Sequence, residues 1–387
     1  MSDSPEIRFC VRCVISNQRP LACREFSRTA DTKIGQMAFD AEGVCAACRV
    51  AERKASTDWA AREQALVEIL ARYRRTNRAD VLVPGSGGKD SVYAAHLLKF
   101  RYGMHPLLVT WAPHEYTRVG LRNYRAWLAA GFDAMLVTPN PRVHAQLTRL
   151  AFTNLLHPFQ PFILGQRALA PRLAAQFGID LVVYGEDDSE YEGTAHTEQW
   201  GAEDFYTADP TKRLVLGGVP YSDLIGAHGL TPHDLAIYQP VAASPRTRVM
   251  ALGYYIPWQP QAAYYFAAAQ GFEANDERTE GTYSKYNSID DRLDPLHYYT
   301  TWIKWGLGRA SYDAAQEIRN GHLTREEGVA LVHRYDGELR PETVAWACRY
   351  MGITREDFWW TITAARNARP GLWERLGSSC TLRHIVQ

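Results

Sequence analysis

Apolar positions along the chain change their spacing several times, and those changes divide it. Over residues 56–75 they recur every three to four positions, with Trp59, Leu66, Ile69, Leu70 and Tyr73 on one face, which predicts an amphipathic helix capped within 56–58. Beyond it, short β-branched runs alternate with helical patterns. Strands are predicted near Val81 and over 106–111, 133–138 and 180–185, with a fifth over 249–255; helices are predicted over 91–101, 119–130, 143–155 and 166–177. Such alternation implies βαβ units and a parallel sheet whose ligands sit at the carboxyl ends of its strands. Over 194–248 the periodicity fades into scattered aromatics, glycines and prolines, the mark of a long connection serving as a substrate lid or a partner surface. From about Ala262 the chain becomes aromatic-rich and mainly helical. The expected organisation is α/β, with units at 1–55, 56–260 and 261–387.

Charge narrows the partners. Lys+Arg and Asp+Glu balance at 43 each, so no nucleic-acid footprint shows in the net charge. There is no basic-then-apolar leader and no apolar run approaching a membrane span, and the expected location is cytoplasmic with reduced thiols. In that setting the seven cysteines carry information. Cys10-x-x-Cys13 and Cys45-x-x-Cys48 match the ligand set of a structural Zn²⁺ site, in which four thiolates close a tetrahedron. Zinc is favoured over disulfides or redox use of a single CxxC, with Cys23 a possible substitute ligand. On this reading the loss of a ligand such as Cys45 lowers stability more than it alters chemistry.

The strongest chemical signal follows the first strand. Val81-Leu-Val-Pro-Gly-Ser-Gly-Gly-Lys-Asp-Ser91 runs from strand through glycine-rich turn to helix start, an arrangement that presents backbone N–H groups and a helix dipole to an anion. Lys89 adds a point charge, Ser91 a hydroxyl and Asp90 a carboxylate able to hold Mg²⁺. The spacing fits neither a Walker A loop nor a dinucleotide fingerprint. Ser86-Gly87-Gly88-Lys89-Asp90-Ser91 instead resembles the SGGxDS signature of the PP-loop ATP pyrophosphatases, which bind ATP, adenylate a substrate oxygen and hold the released pyrophosphate. At the end of the fourth strand, Glu186 and Asp187 are placed to hold metal or orient the acceptor, while Asp188 onward faces solvent. Lys304 and Arg309, beside Gly306 and Gly308, suit a polyphosphate, though ordinary surface charge explains them equally well from composition. Asp290, Asp291 and Asp294 lie between them and the Tyr283–Tyr286 run.

Over nearly its whole length the chain resembles the N-acetyl sugar amidotransferases of bacterial surface-polysaccharide (lipopolysaccharide O-antigen) biosynthesis, a branch of the PP-loop superfamily with an adenine nucleotide alpha hydrolase-like fold. The likeness is carried by Cys10-Val-Arg-Cys13, Gly43-Val-Cys45-Ala-Ala-Cys48-Arg49, Ser86 to Ser91, Thr138-Pro-Asn-Pro-Arg-Val-His144 and Tyr184-Gly185-Glu186. It continues through Tyr255-Ile-Pro-Trp258, Lys304 with Gly306-Leu-Gly-Arg-Ala310, and the run from Ala315 to Gly328. The stretch 21–36 reads as an insertion between the two CxxC pairs. The resemblance implies that ATP adenylates the acetamido oxygen of an N-acetylated, nucleotide-linked sugar and that ammonia then displaces AMP to leave an acetamidino group. It implies a catalytic role for Lys89, Asp90, Lys304 and Arg309, with ATP, Mg²⁺ and Zn²⁺ as cofactors. It also implies that glutaminase and cyclase-like subunits supply the ammonia. The residues agree on this last point, because position 2 is Ser2 rather than a nucleophilic cysteine and Cys348 sits in a helical pattern without elbow glycines. The rival expectation is a tRNA sulfurtransferase or another tRNA-modifying adenylating enzyme. Against it stand the zero net charge and the lack of cysteine between Arg49 and Ala347.

Overall fold

A computed structural model describes residues 6–21, 25–187, 191, 193, 214–241, 246–376 and 379–387. The candidate ligand Cys23 and the acidic positions Asp188, Glu190 and Glu192 lie outside the described residues.

The amino-terminal unit is built from two cysteine knuckles. Isolated antiparallel bridges, Phe9 with Ser16 and Phe39 with Cys45, turn the chain at each pair, and Cys48 falls in the first turn of α1 (Ala46–Ala55). The 21–36 stretch leaves and returns at one point, with the Leu21 N–H donating to the Gly35 carbonyl at 2.9 Å and the Met37 N–H to that of Arg19 at 2.9 Å. Its single-turn segment Glu25–Ser27 reaches the nucleotide unit, where Gln160 Nε2 donates to the Glu25 carbonyl at 3.1 Å. Burial pushes the Glu25 carboxyl up, but contacts with His157 and Arg28 outweigh it and hold the group at about 2. The apparent insertion is therefore a tether between the cysteine unit and the sheet, which its polar composition did not signal.

After α2 (Trp59–Tyr73) comes the expected parallel sheet. Its strands are β1 (Val81–Pro84), β2 (Pro106–Trp111), β3 (Asp133–Val137), β4 (Leu181–Tyr184) and, following a short hairpin of β5 (Val215–Leu216) and β6 (Val219–Pro220), β7 (Arg248–Ala251). The order is β3-β2-β1-β4-β7, all parallel. The fifth strand is shorter than expected, because Leu252–Tyr254 curls into a 3-10 turn. Alternation of side chains by two distributes the sheet between two cores. Val81, Val83, Leu108, Leu181, Val183 and Met250 face α2, α3 (Lys89–His96) and α4 (Arg118–Ala129). Leu82, Val109, Val182 and Val249 face α5 (Pro141–Leu155) and α6 (Gln160–Phe177). Because β1 lies between β2 and β4, the chain's strand order reverses there, and the loops after β1 and β4 open at that crevice.

Residues 214–241 correct the lid expectation for the part that is described. Leu216, Leu224 and Leu235, on β5 and the short helices α7 (Tyr221–Gly226) and α8 (Pro232–Ala236), and Tyr238 in the turn that follows, are fully buried in the second core. That portion is fixed structure; positions 194–213 lie outside the described residues.

The carboxyl-terminal region is helical as expected, with α9 (Pro260–Ala269), α10 (Asp294–Trp305), α11 (Arg309–Arg319), α12 (Arg325–Tyr335), α13 (Pro341–Met351) and α14 (Arg355–Asn367). It ends in an antiparallel hairpin of β8 (Trp373–Leu376) and β9 (Ser379–Leu382). The three proposed units share cores. Ala267 and Phe272 pack into the sheet, Phe152 and Phe159 into the carboxyl-terminal helices, and Ala314, Ala315, Val332 and Val386 onto the cysteine knuckles. No helix of the described residues is long and apolar enough to cross a membrane.

Candidate active site

The sequence Gly85 to Ser91 forms the turn expected after β1, and two of its glycines are there for space. Gly87 has φ +86°, and a Cβ there would lie 2.8 Å from the Tyr124 Cα; a Cβ on Gly85 would lie 2.2 Å from that of Ser91. Gly88 caps α3 in an extended conformation, so Lys89 and Asp90 occupy its first turn, and the Ser91 hydroxyl donates to the Gly88 carbonyl at 2.9 Å. A cradle that any side chain would fill, opening onto a helix N-terminus, fits a polyphosphate.

Lys89 is buried, and its Nζ lies 2.6 Å from Asp90 Oδ2. Burial alone would lower the ammonium's pKa; the carboxylates of Asp90 and Glu186 override it and raise it, so the lysine stays charged. The other Asp90 oxygen, Oδ1, is buried without a hydrogen-bond partner among the described residues. An orphaned carboxylate oxygen beside a phosphate cradle is the donor a hard cation requires, so Asp90 fits Mg²⁺.

These groups line one cleft of about 640 Å³, within the range of ligand sites, whose opposite wall comes from the carboxyl-terminal region. The expected residues Ser86, Gly87, Gly88, Lys89, Asp90, Glu186 and Arg309 all line it. Ser91 and Glu186 line an adjoining cavity of about 330 Å³. Two expected members are placed elsewhere. Asp187 is buried, 4% exposed, and lines neither cavity. Lys304 sits in the last turn of α10, roughly 15 Å along the axis from Asp294 at its start. It donates to the Leu155 carbonyl at 3.3 Å and lines a different pocket with Arg28 and Trp360.

Arg309, by contrast, is held inside the cleft. Its Nε lies 3.0 Å from Asp313 Oδ1, and its guanidinium carbon sits 4.6 Å from the centre of the Tyr298 ring, whose hydroxyl accepts from Nη1. Burial alone would pull its pKa down; Asp313 raises it and keeps the group charged. Arg309→Gln is therefore expected to lower turnover by roughly ten- to a thousand-fold with a smaller change in ATP affinity. Lys304→Met should leave both within about three-fold, as expected for a charge outside the site. Parallel kinetics of the two variants with ATP as the varied substrate check both statements.

Several cleft residues were given no role in the sequence reading. Arg19 arrives from the cysteine unit, 5% exposed and stacked at 4.8 Å over the Tyr312 ring. Asp290 accepts a hydrogen bond from the Ser86 side chain, tying the carboxyl-terminal region to the phosphate loop. Asp291 accepts from the His114 backbone N–H and meets its ring Nδ1, both at 2.8 Å, and accepts from the Leu293 N–H at 2.9 Å. The Asp290-Asp291 pair was visible as a charge cluster; Arg19 carried no signal, since only folding brings it here.

At the knuckles the four Sγ atoms of Cys10, Cys13, Cys45 and Cys48 lie within 4.8 Å of one another, with Cys10 to Cys48 at 3.9 Å and Cys13 to Cys45 at 3.7 Å. A tetrahedron of Zn–S bonds near 2.3 Å places its sulfurs about 3.8 Å apart, so the set fits zinc. Backbone N–H groups of Arg12 and Cys45 donate to Cys10 Sγ at 3.4 and 3.3 Å, the support a thiolate ligand needs.

Residues 280–375 match the family described as "LPS biosynthesis protein WbpG-like, C-terminal domain". A search of curated proteins finds no match. Among solved structures, the chain is similar to an NMN synthetase from Francisella tularensis, with a TM-score of 0.35 and 12% identity, covering 76% of this chain and 94% of that one. It is also similar to the U34-tRNA thiolase NcsA from Methanococcus maripaludis with its [4Fe-4S] cluster, at TM-score 0.31, 11% identity and coverages of 76% and 86%. The predicted subunit of a tRNA methyltransferase from Methanocaldococcus jannaschii follows at 0.25, 15%, 61% and 92%. The carboxyl-terminal region thus carries an LPS-biosynthesis family signature, and it supplies one wall of the phosphate-loop cleft.

Proposed function

We propose that the chain is an ATP-dependent amidotransferase that converts the acetamido group of an N-acetylated, nucleotide-linked sugar into an acetamidino group, releasing pyrophosphate and AMP. The observation that carries this reading is the shared cleft. An SGGKDS phosphate cradle forms one wall, and residues of the WbpG-like region, Asp290, Asp294 and Arg309 among them, form the other.

An amide oxygen is a weak nucleophile toward phosphorus, so the α-phosphate needs positive charge around it and the leaving pyrophosphate needs donors. Lys89, buried, and Arg309, partly buried, are both held charged by carboxylates and supply the fixed cations. The backbone of Gly87 and Gly88 with the start of α3 supplies N–H groups to the departing phosphates. Mg²⁺ bound through Asp90 would neutralise the triphosphate. The aromatic wall of Phe159, Tyr286 and Tyr298 keeps water from the activated sugar.

Ammonia comes from a partner glutaminase with a cyclase-like subunit. Among the described residues no cysteine lines the cleft. Cys348 is buried in α13, where burial pushes its thiol up, away from the thiolate a nucleophile needs.

The experiment is mass spectrometry of reactions containing ATP, Mg²⁺ and ammonium, with either a panel of UDP- and CMP-linked N-acetyl sugars or bulk tRNA. Exchange of an acetamido oxygen for NH on a sugar, with AMP formed in step, is the expected result. Modification of tRNA with every sugar left unchanged would favour the rival tRNA-modifying enzyme. Glutamine in place of ammonium should give no product until a glutaminase is added.

A further inference from the structure

The acidic residues of the cleft outnumber its cations, and most of their carboxylates are engaged. Asp90 pairs with Lys89, Asp290 with Ser86, and Asp291 with His114 and the Leu293 N–H. Asp313 accepts from Thr282 at 2.6 Å and Asn287 at 3.1 Å and pairs with Arg309. Glu186 faces Lys89. Asp294 differs. It is 9% exposed, it lines the cleft at the start of α10, and none of the described residues donates a hydrogen bond to its carboxylate. A carboxylate nine-tenths withdrawn from water, with the Arg309 charge nearby but no hydrogen-bond donor among the described residues, is costly unless a ligand provides one.

The chemistry proposed above presents one such donor, the acetamido N–H. We infer that Asp294 is the base that removes this proton as the acetamido oxygen attacks the α-phosphorus. The inference rests on the amidotransferase reading. The new bond is O–P; the bond broken is that between the α-phosphorus and the bridging oxygen, and pyrophosphate leaves with its electron pair. As the N–H proton passes to Asp294, the C–N bond becomes C=N and the product is a neutral O-adenylated imidate. Without the transfer, the intermediate would carry a positive charge on nitrogen and the oxygen would stay a weak nucleophile. When ammonia displaces AMP, the C–O bond breaks with its electron pair on the AMP phosphate, ammonia's three hydrogens complete the amidinium, and the proton held by Asp294 passes to the departing phosphate. Asp294 is then ionised again beside a cation it stabilises.

The surroundings suit a base. Burial, and then the like charges of Asp290 and Asp291 on the same segment, push the Asp294 carboxyl well above the usual range, and Arg309 from α11 opposes them.

The test uses the full zinc-loaded chain with ATP, Mg²⁺ and an acetamido sugar that the wild type turns over, following sugar-dependent pyrophosphate release in a single turnover. Asp294→Asn should lower that rate by roughly a hundred- to ten-thousand-fold. ATP affinity and melting temperature should stay unchanged. Asp294→Glu should recover at least about a tenth of the rate, and the rate should rise with pH in the wild type and be flat in the Asn variant. A sugar analogue N-methylated on its acetamido nitrogen, which has no proton to lose, should be as slow with the wild type as with the variant. Asn-variant rates within about three-fold of wild type would overturn the role, as would a loss matched by weaker ATP binding or early melting that Glu fails to restore. If the wild type adenylates no acetamido sugar at all, the amidotransferase reading falls and this inference with it.

Discussion

Asp90→Ala is expected to lower AMP formation by roughly a thousand-fold, and Asp90→Asn by nearly as much. The residue combines two tasks in one carboxylate. Oδ2 pairs with Lys89 at 2.6 Å, and Oδ1 is the buried oxygen left for a cation. Removing the side chain would take away an anchor for Mg²⁺ and deprive Lys89 of its ion-pair partner, so positive charge is less well placed just where the phosphates need it. The fold should tolerate the change. Asp90 is partly exposed in the first turn of α3, and losing a favourable charge at a helix start costs only about 0.3–1 kcal/mol. A melting temperature within a few degrees of wild type, together with AMP release near the detection limit, is the predicted pair of results. AMP formation within ten-fold of wild type would remove Asp90 from the centre of the chemistry.

Cys45→Ser should have the second largest effect, and the structure changes what kind of effect it is. The sequence pointed to a zinc unit whose loss would weaken the fold and spare the reaction. Yet the segment between the knuckles carries Arg19 into the cleft, and Arg325 of α12 donates to the Cys10 carbonyl at 3.3–3.4 Å. A buried ligand with an N–H donating to Cys10 Sγ cannot be lost without disturbing both attachments. We expect zinc content to fall below one per chain and stability to drop by several kcal/mol, roughly 10 °C in melting temperature. Turnover on the sugar should fall with them, at temperatures where the variant is still folded. Metal analysis, calorimetry and kinetics on one preparation test this; full activity in a zinc-free, folded variant would return the unit to a purely structural role.

The parallel sheet and its phosphate loop were legible because local signals agreed. β-branched runs, Gly85 to Gly88 and the helix start at Lys89 all describe one strand–turn–helix unit, and each would read the same in isolation. Two CxxC pairs announced a metal site for a similar reason, since four thiols have few other uses in a reducing setting. What stayed hidden depended on distant packing. Lys304 and Arg309 look alike as cations beside glycines, but the length of α10 separates them, and Arg309 is the one that lines the cleft, where it meets Asp313. Arg19 had no local feature at all. Residues 214–241 lacked periodicity because their short hairpin and helices bury isolated side chains, such as Tyr238 against His144 at 2.7 Å, instead of a continuous face.

The cysteine knuckles are covered by Ala314, Ala315, Val332 and Val386, residues made long after the thiols themselves. At roughly 5–20 residues per second, a ribosome leaves Cys10 to Cys48 without that cover for tens of seconds. In that interval the thiols meet the cell's zinc supply and its oxidants on equal terms. The late helices then close over whatever has been acquired. Metal captured early becomes enclosed, with all four ligands no more than 5% exposed, so its exchange requires the first and last parts of the chain to separate. The rate at which a chelator strips zinc from the finished protein thus becomes a clock for that separation.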